Sequence, residues 1–198
     1  ARLSYSEVGN DPDPFLTIPT YPVSMGTVNL STRMNNPDLQ PERTQSWEVG
    51  LTTYWFNNRL KLDATYYHSS TYNQFFEPTL STASGYSSVI VNAGQVNNQG
   101  IELAASWDQT FANGFNWRTY MTYSHNENKI VSLPLEKLEL GGMAGMKTIL
   151  KEGGSMGDIY VTSLNVDEHG AIYIHPMDQT ISTDYKYIYA GDTAPKHL

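Results

Sequence analysis

Between residue 44 and about residue 128, apolar and polar side chains alternate with a period of two. In residues 44–56, Trp47, Val49, Leu51, Thr53 and Trp55 oppose Ser46, Glu48, Thr52 and Tyr54. In 59–68, Leu60, Leu62, Ala64 and Tyr66 oppose Arg59, Lys61, Asp63 and Thr65. In 100–108, Ile101, Leu103, Ala105 and Trp107 oppose Glu102, Ala104, Ser106 and Asp108. In 115–126, Phe115, Trp117, Thr119, Met121 and Tyr123 oppose Asn116, Arg118, Tyr120, Thr122, Ser124 and Asn126. Successive side chains of a strand point to opposite faces, so each segment predicts a strand with one apolar and one polar face.

The links between these strands alternate in length. Phe56-Asn57-Asn58-Arg59 predicts a tight turn, because Asn tolerates positive φ. The next link, 69–96, is long, 110–114 is short, and the stretch from about 131 onward runs past ~60 residues, far beyond an ordinary loop. Short turns at one end and long loops at the other are the pattern of a transmembrane barrel, with periplasmic turns and extracellular loops. The rings fit the same picture. Trp55, Phe56, Trp107, Phe111, Phe115 and Trp117 flank the short turns, while Trp47, Tyr66, Tyr67, Tyr72 and Tyr123 lie at the other strand ends. Two girdles of this kind mark the two interfaces of a barrel wall. A soluble sandwich would put its largest rings at strand centres, which here carry Val49, Leu51, Leu62, Ala64, Leu103 and Ala105.

The predicted fold class is therefore all-β: antiparallel strands of a transmembrane β-barrel wall with long extracellular loops. Trp47, Val49, Leu51, Trp55, Leu60, Leu62, Ile101, Leu103, Trp107, Trp117 and Met121 are expected to face outer-membrane lipid. Glu48, Lys61, Asp63, Glu102, Asp108 and Arg118 are expected to face the lumen. Four strands cannot close a cylinder, since the smallest membrane barrels use about eight, and an open edge in lipid leaves backbone groups unpaired at several kcal/mol each. The chain is thus expected to be a partial barrel: a strand end at 1–10, an extracellular loop at 11–43, four wall strands within 44–130 with a long loop at 69–96, and a long extracellular loop region at 131–198. Asp11–Pro14, Pro19 and Pro22 interrupt the N-terminal stretch and favour a loop there.

Composition narrows the function classes. Apolar residues are 39% and charged residues 16%, with fourteen tyrosines; this is not the charged, aromatic-poor make-up of a disordered chain. The net charge is −8 and the twelve basic residues form no stripe, so nucleic acid is not an expected partner. There is no cysteine, which excludes disulfides, thiolate metal sites and thiol nucleophiles.

Five phrases resemble the SusC/RagA family of TonB-dependent outer-membrane transporters: NNPDLQPERTQSWEVGL (35–51), FNNRLKLDATYY (56–67), VNAGQVNNQGIEL (91–103), FNWRTYMTYSHNENKIVSL (115–133) and YIYAGDTAPKH (187–197). They follow one another in the family's order. The resemblance implies a barrel of about two dozen strands with an N-terminal plug, energised through TonB. It also implies a SusD-like lipoprotein over the extracellular mouth, and glycan or peptide oligomers as cargo. The alternative of another class is a soluble β-rich carbohydrate-binding module.

Candidate sites are few. Tyr72, Phe75, Phe76 and Tyr86, in the long loop, could stack on sugar or grip a lid; packing of the loop upon itself competes with that reading. The stretch 165–170 stands where relatives carry an oxygen-rich, calcium-like loop, but His169 replaces an oxygen ligand, Asp167 and Glu168 are adjacent, and Asp178 and Asp184 lie far along the chain. A plain turn is the stronger expectation there. The five histidines form no zinc-type pair, no Gly-x-Ser-x-Gly elbow occurs, and Gly145-Met146-Lys147-Thr148 breaks the spacing of a phosphate loop. No catalysis, cofactor or metal is expected.

Overall fold

The computed structural model of the chain describes residues 1–92, 94–166, 169, 171, 172, 174, 179–181, 186–194 and 196. Strands β1 (Arg2–Asn10), β2 (Glu42–Trp55), β3 (Leu60–Tyr72), β4 (Gln95–Thr110) and β5 (Asn116–Ser132) form one antiparallel sheet in chain order. The short connections sit at one end. At the first, Asn57 and Asn58 take φ of 54° and 65°, as a twisted two-strand turn requires, and the Arg59 amide closes it onto the Phe56 carbonyl at 3.2 Å. At the second, the Phe111 amide donates to the Phe115 carbonyl at 2.8 Å.

Register sorts the side chains. Val49, Tyr66, Ile101 and His125 are directly paired across four strands, as are Leu51, Ala64, Leu103 and Tyr123, then Thr53, Leu62, Ala105 and Met121, then Trp55, Leu60, Trp107 and Thr119. Directly paired residues share a face, so the four independently patterned segments present one continuous apolar face. The opposite face carries Arg2, Glu48, Asp63, Glu102, Asp108 and Arg118.

The apolar face is not the core. Leu51, Leu62 and Leu103 are 52%, 39% and 44% exposed, whereas the main buried cluster is Phe76, Val96, Ile130, Leu138 and Leu150. That cluster lies at the long-loop end and on the polar face of the sheet, since Val96 and Ile130 are paired and share parity with Glu102 and Arg118. Leu138 and Leu150 come from a second antiparallel sheet, β6 (Lys137–Met143), β7 (Met146–Lys151), β8 (Asp158–Ser163) and β9 (Lys186–Asp192). Each such buried aliphatic side chain contributes roughly 1.5–3 kcal/mol, enough to hold this sheet against the wall.

Several expected boundaries move. The wall strands begin at Glu42 and end at Ser132 rather than spanning 44–130, and the long loop is 73–94 rather than 69–96. Ser69, Ser70, Thr71, Asn97 and Asn98 carry no apolar alternation, yet ladder pairing extends through them. The expected loop 131–198 contains the second sheet, in which alternation is blurred because β7 buries two successive residues, Ile149 and Leu150. The loop expected at 11–43 ends before Glu42, which pairs with Asn10.

Candidate functional site

Polar residues stitch the long loops to the top of the wall. Within the 35–51 phrase, Asn35 Nδ2 donates to the Ile18 carbonyl at 2.7 Å, and Asn36 Nδ2 to the Ile90 carbonyl at 3.0 Å. Glu42 Oε1 accepts from the Phe75 amide at 2.5 Å and from Gln74 Nε2 at 2.9 Å. Asn92, in the 91–103 phrase, receives the Gln40 amide on Oδ1 at 2.7 Å and donates to the Gln40 and Asn73 carbonyls at 2.7 and 2.8 Å. These bonds explain why Asn and Glu stand where they do in the phrases: each hydrogen-bonds backbone groups of the loops. Gly100 of the 91–103 phrase lies under Tyr67, whose hydroxyl donates to Asn126 Oδ1 at 2.9 Å.

Of the four loop aromatics, Phe76 is 4% exposed within the main core, and Phe75 is half-buried beside Asn92. Tyr72 and Tyr86 are exposed, 37% and 40%. The structure thus divides the four: Phe76 points inward and offers no surface to a ligand, and only Tyr72 and Tyr86 present much of their rings to solvent.

What the sequence did not indicate is a groove of about 720 Å³ among the loops. Its apolar wall includes Pro78, Leu80, Val89 and Val91 from the 73–94 loop and Pro134 and Leu135 from the short link between β5 and β6, while Asn36 and Asp38 come from the loop before β2. Lys137 and Glu139 of β6 lie along it. Glu139 is paired with Lys147 at 3.0 Å and Lys137 at 3.3 Å. The Lys147 hydrogen bond foremost, then Lys137, holds the Glu139 carboxyl below its usual range against the opposing effect of burial. Glu139, followed by Tyr187, raises Lys147 in return.

On the polar face, Arg2 joins three strands: it meets Glu48 at 3.3 Å, Asp63 at 3.1 Å, and the Thr65 hydroxyl. Arg118 pairs with Asp108 at 2.5 Å. The rings beside the short turns group together, Phe56 with Trp107 at 5.9 Å and Phe111 with Phe115 at 5.8 Å; at the other end Trp47 meets Tyr66 at 5.2 Å. Among the described residues no three His, Asp or Glu side chains gather as a metal site needs. Asp167, Glu168, Gly170, Asp178 and Asp184 lie outside the described residues; Val166 and Ile172, which flank the first three in sequence, form an antiparallel bridge.

A sheet with an uncovered apolar face, ring belts at both margins and its packed core above the polar face is a segment of barrel wall with its surface loops. Residues 1–159 match the family model described as TonB dependent receptor-like, beta-barrel. The chain therefore belongs to the TonB-dependent receptor β-barrel family, an outer-membrane family that includes the SusC/RagA transporters its phrases resemble. TonB-dependent receptor P3 of Formosa agariphila is 30% identical over 173 residues, covering 80% of this chain and 17% of that receptor. TonB-dependent receptor P26 of the same organism is 28% identical over 159 residues, covering 76% and 15%. The chain thus spans about a sixth of the curated relatives it matches. In fold it is similar to a chain of the RagAB peptide importer in its open-open state, with TM-score 0.69 and 21% identity over 98% of this chain and 23% of that one. It is also similar to a chain of the RagAB peptide transporter, with TM-score 0.67 and 23% identity over 84% and 19%.

Proposed function

We propose that this chain supplies wall strands and mouth loops to a TonB-dependent active transporter that imports glycan or peptide oligomers together with a SusD-like surface lipoprotein. The observation that carries the reading is the exposed apolar face. Trp47, Val49, Leu51 and Trp55 of β2, Leu60 and Leu62 of β3, Ile101, Leu103 and Trp107 of β4, and Trp117 and Met121 of β5 lie together on it, while the core is elsewhere. In water, so broad an apolar surface would favour association; in hydrocarbon it is the stable arrangement. A soluble carbohydrate-binding module would bury this stripe, so that alternative is disfavoured. The polar face then lines the lumen, where water and the plug solvate Arg2, Asp63 and Arg118. TonB is reached through the plug-bearing part of the receptor. Membership of a receptor family and likeness to importers support transport over catalysis.

The test is single cysteines at Val49, Leu51, Leu62, Leu103 and Met121 of the full-length receptor, probed in intact outer membranes with an impermeant maleimide. All five are expected to stay unlabelled, and ready labelling of all five would overturn the reading. Uptake of oligomers by cells carrying the receptor is expected to stop when TonB is removed.

A further inference from the structure

The groove above the wall distinguishes between the two cargo classes. A glycan is bound through the apolar faces of its rings as well as through its hydroxyls, so its site needs flat aromatic surfaces on which those faces stack. Among the described residues the groove offers no such surface. No Trp, Tyr or Phe is among its described lining residues, which are mainly Pro, Leu and Val. Its amide side chains are engaged by the protein: Asn36 binds the Ile90 carbonyl and the Asp38 amide, and Asn92 binds Gln40 and Asn73. The Thr79 hydroxyl donates to the Glu139 carbonyl. The free polarity is charge. Asp38 is exposed and takes part in no ion pair among the described residues. Glu139 lies between Lys137 and Lys147, two ammonium groups around one carboxylate, which leaves one positive charge in that group uncompensated.

From this combination we infer that the groove is a cargo subsite for short peptides with aliphatic side chains. The aliphatic wall receives those side chains, Asp38 receives the terminal ammonium, and Lys137, which lines the groove and shares Glu139 with Lys147, receives the terminal carboxylate. Electrostatic complementarity at two sites of opposite sign sets the direction of the bound peptide, and burial of its side chains supplies the affinity. This deepens the transporter reading and rests on it.

The experiment measures calorimetric binding of trileucine to the purified full-length receptor, with N-acetyl-trileucine and maltohexaose as comparison probes. Trileucine is expected to bind, and Leu135→Asp, at a position 60% exposed and so outside the core, is expected to weaken it at least tenfold. Acetylation is expected to cost about tenfold in the wild type, the size of one good charged contact, and nothing in Asp38→Asn. Unchanged trileucine affinity in both variants would overturn the inference. So would displacement of trileucine by maltohexaose, or a cysteine at Leu135 that is shielded from maleimide without peptide, because another segment of the receptor then fills the groove. Failure here is distinguishable from failure of the transporter reading: a receptor that keeps its five apolar-face cysteines unlabelled and imports oligomers, yet ignores these substitutions, loses only the peptide subsite.

Discussion

One face of β5 behaves in two opposite ways along its length. Arg118, Thr122 and Ser124 occupy the lower part of that face and are solvent-accessible, while Ile130, on the same face farther up, is fully buried. The difference is what lies opposite. Below, no other strand covers the face among the described residues. Above, β6 and β7 fold inward and press Leu138 and Leu150 against Val96 and Ile130. The turn at 153–154 also pairs with the upper edge of β5, the Ile130 amide donating to the Gly154 carbonyl and the Gly153 amide to the Ile130 carbonyl, both at 2.8 Å. One face of a single strand therefore meets open space below and packed side chains above, and the segments that cover its upper half share their core with the wall.

The contrast can be broken most forcefully at its centre. Ile130→Ala should cost about 2–5 kcal/mol locally, through lost burial and the cavity left behind. In the full-length receptor this is expected as rapid protease nicking in the 73–94 and 133–158 segments, with the wall strands still resistant. Equal nicking of wild type and variant would show that the upper core does not hold the loops.

The two faces differ next. Leu51→Lys, near mid-strand on the apolar face, is expected to cost about 2–4 kcal/mol in a bilayer. Ala104→Lys, on the polar face opposite Asp63 and Thr122, is expected to be close to neutral. The folded fraction of each, read from the heat-modifiable gel mobility of the barrel, should separate them clearly.

A smaller effect is expected where Tyr67 crosses Gly100. A Cβ there would lie 2.5 Å from the Tyr67 hydroxyl and press on the His125 carbonyl, so Gly100→Ala should destabilise by about 1–3 kcal/mol. The check is a lower midpoint in the same mobility assay, with Gly9→Ala as a control, since its nearest neighbour would be the Glu42 carbonyl at 3.9 Å.

The smallest effect is electrostatic and confined to the loop sheet. Because Glu139 has a folded pKa below its ordinary 4.5, its contribution is fully present above that value and is lost as pH falls through the lowered one. The pair is partly exposed, so the contribution is under about 1 kcal/mol. Protease sensitivity of the 133–158 segment should rise with acidification below pH 4.5, and Glu139→Gln should be equally sensitive at neutral and acid pH.

Much of this was legible along the chain. The two-residue alternation in four segments fixes which side chains share a face, because strand geometry leaves no other choice once the strands pair in register. The same holds for the tight turn at Asn57-Asn58, which needs only local chemistry. The phrases 35–51 and 91–103 were recognisable as patterns, though their reason, loop backbone satisfied by Asn36, Glu42 and Asn92, appears only in three dimensions.

The upper half of the molecule was decided by tertiary structure. Val96 and Ile130 sit at positions whose parity belongs to the polar face, and nothing nearby in sequence announces that Phe76, Leu138 and Leu150 will cover them. The groove likewise draws on three loops separated by long stretches of chain. Alternation reports the local direction of a side chain, which the backbone dictates. What that side chain meets there depends on segments far away, and only the assembled fold brings them together.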